Sequence, residues 1–247
     1  MTDADLARRS LTLLDLTDLG DACVEDDVIA LCERAVSPYG SVAAVCVWPR
    51  FVATAVRQLS GSGVRIATVV DFPSGDEPVD RVVDQTRVAI GDGADEIDLV
   101  LPYRAFLAGD SQRVASMLDA VRSVVPSSKV LKVILETGEL GDDHNVVTAA
   151  RTAIAHGADF VKTSTGKTPV SATPRAVQSM LEVIAESDRP VGIKPSGGIR
   201  TLADAAQYLD LADRIMGPSW VAPQTFRFGA SGLLDAILDA LDIDHDG

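Results

Sequence analysis

Val130-Leu131-Lys132-Val133-Ile134-Leu135 and, further along, Phe160-Val161-Lys162 are short apolar runs rich in β-branched residues, one interrupted and one ended by a lysine. Both are too short for a buried helix and are bounded by polar, glycine-containing turns, so they read as buried strands. Runs of the same kind lie at 42–47, 65–70, 96–101, 191–194, 214–216 and 226–228, which makes eight strand candidates. The segments between them read as helices. Val82, Val83, Val88 and Ile90 fall near helical spacing over 80–90, and Val114, Met117, Leu118 and Val121 do so over 112–125. The segment 174–185 opens with Thr173 as N-cap and Pro174 at the first helical position.

Strands alternating with helices, without a break in composition, call for a parallel sheet, and eight strands close a barrel. The expected fold is therefore α/β: a (β/α)8 TIM barrel in one domain over 1–247, with an additional N-terminal helical segment at 1–37 packed across one end. An open doubly wound sheet is the alternative, weakened because no Gly-x-Gly-x-x-Gly follows the first strand candidate.

The chain of 247 residues suits one barrel, which typically needs about 250. It is 47% hydrophobic, and no run approaches the ~18 apolar residues of a membrane span. A formal net charge of −14 argues against nucleic acid as a partner, since phosphate backbones attract basic surfaces. The start of the chain carries Asp3, Asp5, Arg8 and Arg9 and lacks the apolar core of a signal peptide. Cys23, Cys32 and Cys46 form no Cys-x-x-Cys pair and are expected as reduced thiols in the cytoplasm. His144, His156 and His245 are scattered, so neither a metal nor another cofactor is expected.

Lysine is scarce: there are 17 arginines but only five lysines, Lys129, Lys132, Lys162, Lys167 and Lys194. Arginine stays protonated and cannot replace lysine as an amine nucleophile. Lys132, Lys162 and Lys194, with Asp98 in Glu96-Ile97-Asp98-Leu99, stand in strand candidates with apolar neighbours. Strand side chains alternate between faces, so apolar neighbours turned to the helices direct these charges into the barrel. A purely structural buried ion pair is the alternative, but buried pairs stabilise little against apolar replacements. Crowded, desolvated lysines favour a neutral amine, which attacks a carbonyl to form an imine, while Asp98 moves protons.

Three glycine-containing turns suggest a phosphorylated substrate. Thr163-Ser164-Thr165-Gly166-Lys167 follows the fifth strand candidate, Pro195-Ser196-Gly197-Gly198-Ile199-Arg200 the sixth, and Phe228-Gly229-Ala230-Ser231-Gly232 the eighth. Glycines let backbone N–H groups approach an anion, and late loops of this fold often hold phosphate.

Leu131-Lys132-Val133-Ile134-Leu135-Glu136-Thr137-Gly138, Gly157-Ala158-Asp159-Phe160-Val161-Lys162-Thr163-Ser164-Thr165-Gly166-Lys167 and Gly192-Ile193-Lys194-Pro195-Ser196-Gly197-Gly198 closely resemble the deoxyribose-phosphate aldolase family. Gly93-Ala94-Asp95-Glu96-Ile97-Asp98, Arg227-Phe228-Gly229-Ala230-Ser231 and Leu14-Asp15-Leu16-Thr17 fit it too, so the likeness runs from about residue 14 to 234. The resemblance implies a class I aldolase on an α/β barrel that reversibly joins acetaldehyde and D-glyceraldehyde 3-phosphate into 2-deoxy-D-ribose 5-phosphate. It implies Lys162 as the Schiff-base lysine and Asp98 with Lys194 as the proton relay. It implies Thr165, Gly166, Lys167, Gly197, Gly198, Gly229 and Ser231 around the phosphate, and Asp15 with Lys132 as a supporting pair beside the reacting carbon.

Two departures from the family pattern stand out. Many members end in a tail with a terminal tyrosine that assists proton transfer; this chain ends Ile243-Asp244-His245-Asp246-Gly247 and its last tyrosine is Tyr208, so that contribution is expected to be absent or supplied otherwise. The family's Ser-Ser in the last phosphate loop reads Ser231-Gly232 here, which removes one hydroxyl. Schiff-base barrels of the transaldolase or fructose-bisphosphate type remain alternatives, as does a non-catalytic sugar-phosphate binder. The expected partner is a small phosphorylated sugar, and barrels of this size often form homodimers.

Overall fold

The computed structural model describes residues 2–246, with side chains to 243. The side chains of 244–247, where a family tail would end, lie outside it. Eight parallel strands form one sheet: β1 (Leu14–Asp18), β2 (Ala44–Val47), β3 (Arg65–Val70), β4 (Glu96–Val100), β5 (Val130–Ile134), β6 (Phe160–Lys162), β7 (Gly192–Lys194) and β8 (Phe228–Ala230). The sheet runs in chain order from β1 to β7, and β8 lies against β1. Parallel bridges from Ile193 to Phe226 and from Ser196 to Gly229 join β7 to β8 and close the barrel. Among the bonds that close it, the Ile193 N–H donates to the Thr225 carbonyl at 2.8 Å and the Gly229 N–H to the Pro195 carbonyl at 2.8 Å.

Helices α1 (Asp3–Leu11), α2 (Glu25–Arg34), α3 (Val52–Gln58), α4 (Val79–Gly91), α5 (Tyr103–Leu107), α6 (Ser111–Val124), α7 (Asp143–Ala155), α8 (Pro174–Ala185), α9 (Leu202–Met216) and α10 (Leu233–Asp246) surround the strands. The helix expected at 174–185 occupies those residues, and the Thr173 hydroxyl accepts from the Ala176 N–H at 3.2 Å as its cap. No described helix is long and apolar enough to cross a membrane.

Two expectations need correction. The segment 1–37 supplies the N-terminal helix, but it also contains β1, the first barrel strand. Leu14 and Leu16 face the helices while Asp15 faces the axis, and one inward charge disguises the strand. The run at 214–216 is not a strand but the last turn of α9. Ala205, Tyr208, Leu209 and Ala212 bury one helical stripe that Ile215 and Met216 continue, and the chain turns at Gly217, whose φ is 90°. The total of eight barrel strands still holds, because β1 takes the place of the run at 214–216; a short antiparallel hairpin of Val36–Ser37 with Gly40–Ser41 lies outside the barrel sheet. The three glycine-containing turns therefore follow β6, β7 and β8. The final strand also lies two residues beyond the 226–228 expected for it.

The barrel interior has two halves. On β2 and β3, Ala44, Cys46, Ala67 and Val69 form a small apolar cluster with Leu19 at its top. On β1 and β4–β7, with Arg227 just ahead of β8, the inward side chains are largely charged. α1 lies against α9 and α10, and the Arg9 guanidinium grips Asp213 of α9 through two bonds of 2.6 and 2.7 Å. Inside, the Phe160 ring packs against Gly192 of β7; a Cβ there would sit 2.3 Å from the ring. Gly192→Ala is expected to lower stability by about 1–3 kcal/mol through overpacking. A urea-denaturation midpoint equal to wild type would mean that the ring has room to move.

Candidate active site

The sheet register sets up the site. Lys162 and Lys194 pair across β6 and β7, so their amines extend side by side from neighbouring strands at the C-terminal ends of those strands. Asp98 pairs with Lys132 across β4 and β5, two residues lower in the ladder. All four side chains are buried, Lys162 with 2% exposure.

Asp98 is the hub. Its Oδ2 accepts from the Nζ of Lys162 and of Lys194, each at 2.9 Å, and its Oδ1 accepts from Lys132 Nζ at 2.8 Å. Lys194 also meets Asp15 Oδ2 at 2.6 Å, and Lys132 also meets Glu96 Oε2 at 2.5 Å. Arg227 closes the lower end, pairing with Asp15 at 2.6 Å and Glu96 at 3.0 Å. The connected network holds four cationic side chains, Lys132, Lys162, Lys194 and Arg227, against three carboxylates, Asp15, Glu96 and Asp98.

Partner number separates the lysines. Lys132 and Lys194 each have two carboxylates within 2.9 Å, whereas Lys162 has Asp98 alone. Burial opposes all three ammonium groups. Around Lys194, Asp15 and Asp98 overcome that opposition and hold the amine above the ordinary lysine range. Around Lys132, Asp98 and Glu96 do the same. Burial prevails at Lys162: Asp98 pulls its pKa up, but desolvation and the Lys194 charge bring it below the ordinary value. Burial also opposes the two central carboxylates, yet the cations overcome it, keeping Asp98 well below its ordinary range and Asp15 below its own.

Above this network opens a cavity of 390 Å³, bounded by the ends of β1 and β8 and the loops after β6 and β7. Thr165, Gly166, Lys167, Gly197, Gly198, Gly229 and Ser231 all line it. Gly229 keeps the floor open, because a Cβ there would lie 2.4 Å from Ser196 Oγ and 3.1 Å from Lys194 Cε. Gly197 has φ 85° and no room for a Cβ beside Ser171. Lys167 Nζ pairs with the exposed Asp21 at 2.7 Å, so it must leave that carboxylate to meet an anion. The Ser231 hydroxyl donates to the Thr17 carbonyl at 2.7 Å. The Thr165 hydroxyl donates to Glu136.

Asp15 and Lys132 lie in the ion network and do not line the cavity. They meet each other only at 3.6 Å; the short contacts of Asp15 go to Lys194 and Arg227, and those of Lys132 to Glu96 and Asp98. Among the described residues, no group of three or more His, Cys, Asp or Glu is arranged to hold a metal ion.

Sequence reasoning passes over four acidic or basic groups here. Glu96 is detectable, since it shares a strand face with Asp98 two residues on, and Arg227 stands between two phenylalanines. Glu136 is buried at φ 55° and accepts from the Thr165 N–H, Thr165 and Thr168; burial raises its pKa. Asp71, at the end of β3, has φ 54° and is buried; it carries no signal in the sequence beyond a turn.

A closed parallel barrel with a desolvated amine beside a second lysine and an aspartate, under a glycine-lined cavity at the C-terminal face, defines a lysine-bearing aldolase-type barrel. The chain belongs to the DeoC/LacD family of aldolases, whose model matches residues 9–236. It is 54% identical over 239 residues to the deoxyribose-phosphate aldolase of Agrobacterium fabrum, covering 96% of this chain and 92% of that protein. Among solved structures it resembles an apo-form candidate deoxyribose-phosphate aldolase of Toxoplasma gondii, with TM-score 0.90 and 29% identity over 98% of this chain and 97% of that one. It also resembles the tetrameric deoxyribose phosphate aldolase of Aeropyrum pernix, with TM-score 0.76 and 25% identity over 98% and 92% of the respective chains.

Asp71 yields a pH prediction. Burial pushes its carboxyl up to about 7 from the ordinary 3.8, against one bond from the Glu77 N–H at 2.9 Å. A carboxyl raised on folding contributes stability that is full below about pH 4 and lost as pH rises through about 7. Asn tolerates the positive φ and carries no charge to bury. Asp71→Asn is expected to be more stable than wild type at pH 8 by about 2–4 kcal/mol, with the gap closing by pH 4. Urea midpoints at both pH values measure this, and equal midpoints at pH 8 would contradict the assignment.

Proposed function

We propose that this protein is a deoxyribose-phosphate aldolase, cleaving and forming 2-deoxy-D-ribose 5-phosphate through an imine on Lys162. The observation that carries the reading is that Lys162, of the three barrel lysines, has a single carboxylate partner and a lowered pKa. The name of the Agrobacterium fabrum relative supplies the sugar. Three unpaired, buried cysteines suit the reducing cytoplasm.

In the cleavage direction the neutral Lys162 amine attacks the C1 aldehyde, and Asp98, 2.9 Å from that nitrogen, passes the displaced proton to the new oxygen. The Lys194 ammonium protonates the carbinolamine hydroxyl, and water leaves to give the iminium. The amine left on Lys194 then takes the C3 hydroxyl proton. The C2–C3 electron pair moves into the iminium, which releases D-glyceraldehyde 3-phosphate and leaves an enamine. Lys194 returns its proton to C2, and water hydrolyses the imine to acetaldehyde and free Lys162. Asp15 serves this cycle by holding Lys194 at 2.6 Å and favouring its recharging. The phosphate occupies the glycine-lined cavity, where backbone N–H groups, Lys167 and Ser231 meet it locally despite the acidic surface.

Acetaldehyde with borohydride is expected to alkylate Lys162, as read by peptide mass mapping. Lys162→Arg, which keeps the charge but loses the nucleophile, is expected to drop turnover to background. An adduct on another lysine of folded wild type, or surviving turnover in the variant, would move the nucleophile elsewhere.

The phosphate assignment has its own test. A Cβ at Gly232 meets only Arg200 Cγ, at 4.0 Å, so a serine fits there. Gly232→Ser is expected to lower KM for deoxyribose 5-phosphate about tenfold with kcat unchanged, the worth of one hydrogen bond to a charged group. Unphosphorylated deoxyribose should show no such gain; equal effects on both sugars would remove the phosphate from this loop.

A further inference from the structure

Three members of the buried network, Lys132, Glu96 and Arg227, have no part in the steps above, and the last two lie at its lower end. Glu96 sits two residues before Asp98 on the same face of β4, and Arg227 precedes β8; both are almost fully buried. They bind each other at 3.0 Å and reach upward by separate arms. Glu96 holds Lys132 at 2.5 Å, and Arg227 holds Asp15 at 2.6 Å. The Glu96 arm is separated from Lys162 by Asp98 alone, and the Arg227 arm by Lys194 and then Asp98. Lys132 shares Asp98 with Lys162, and Asp15 shares Lys194 with Asp98. Their far side faces a second cavity, of 340 Å³, at the opposite end of the barrel from the glycine-lined one.

We infer that Glu96 and Arg227 are positioning residues for Lys162, fixing how Asp98 is divided among the three lysines and leaving the interior with one cation in excess. The inference rests on the reading of Lys162 as the nucleophile. With Lys162 neutral, the three remaining cations, Lys132, Lys194 and Arg227, match the three carboxylates Asp15, Glu96 and Asp98. A buried network without net charge is the arrangement that low dielectric favours. The groups facing Lys162 are Asp98 on β4, Lys194 on β7, the Cys46 thiol on β2 and Glu136 beyond β5, with Lys132 on β5 and Asp15 on β1 joined to it through Asp98 and Lys194. Burial pushes the Cys46 thiol and the Glu136 carboxyl up, and Glu136 is tied outside the network by the bonds it accepts from Thr165 and Thr168.

This arrangement makes a signed prediction that ordinary packing does not. Removing the Glu96 charge frees Lys132 to draw on Asp98, which loosens the hold of Asp98 on Lys162 and takes a negative charge from the interior. Both effects favour the neutral Lys162 amine. Removing the Arg227 charge does the reverse. Asp15 turns wholly to Lys194, Asp98 turns to Lys162, and the interior loses a positive charge.

The test is the pH dependence of reductive ethylation of Lys162 by acetaldehyde and cyanoborohydride, read by peptide mass mapping on the intact protein. Glu96→Gln is expected to move the inflection down by about one pH unit and Arg227→Gln up by about one unit, the scale of one charge at a buried site. Arg227→Lys should stay near wild type, and the double variant Glu96→Gln/Arg227→Gln should return toward it. Inflections that move in the same direction, or stay fixed while both variants lose activity, would overturn the inference. Should Arg227→Gln not fold, Glu96→Gln and Arg227→Lys decide: a downward shift in the first with none in the second supports it, and any other pair of results overturns it. A folded wild type that takes no label on Lys162 at any pH would instead remove the reading of the nucleophile itself, and this inference with it.

Discussion

One carboxylate shared by three lysines governs this molecule. Asp98 has two oxygens and three ammonium partners, all within 2.9 Å and all cut off from solvent. Water would level such differences, but inside the barrel each partner counts, because an unpaired buried charge is costly. Lys194 has Asp15 to fall back on and Lys132 has Glu96; Lys162 has no second carboxylate. The surplus cation in the network therefore falls on Lys162, and its amine is the one that sheds a proton most readily.

The rest of the architecture protects that inequality. The charges project from β1 and β4–β7 and from the approach to β8, while Ala44, Cys46, Ala67 and Val69 keep the β2–β3 side small and apolar. That network is shut off from solvent and lies beneath the glycine-lined cavity. At the top, Gly229 keeps side-chain atoms away from Ser196 and Lys194, and the loops after β6, β7 and β8 line one cavity. At the bottom, Arg227 packs over Phe160 at 5.9 Å, and Gly192 makes room for that ring. Packing and electrostatics are thus one problem here: the small residues are placed where the ion network and its ligand need volume.

Much of this is legible in the chain's own residues. A lysine ending an apolar run identifies β6 to the residue, and the Thr173-Pro174 cap identifies α8 equally well, because both signals are local. β1 escapes because Asp15 is neutralised by Lys194 and Arg227, which arrive from the far end of the chain; alone, Leu14-Asp15-Leu16 looks too polar for a core strand. The run at 214–216 misleads because Ile215 and Met216 have the same apolar character in a helix as in a strand, and only the stripe from Ala205 onward tells them apart. The glycine turns are recognisable, though with β1 hidden the first two seem to follow strands one place earlier than β6 and β7. Composition does not distinguish Lys132, Lys162 and Lys194 by local pattern, since each is a lysine among apolar strand residues. Their difference lies in how many carboxylates the closed barrel brings to each, a property of register and shear that no short window of sequence contains.

The scarcity of lysine makes the central claim directly measurable. With five lysines in the chain, NMR of protein labelled at the lysine side chain resolves each amine, and substitution of each in turn assigns it. Titration should find Lys162 losing its proton below the ordinary lysine value of about 10.4, with Lys132 and Lys194 still charged beyond it. A Lys162 that titrates at or above the ordinary value, or a lower pKa found on Lys132 or Lys194, would contradict the account.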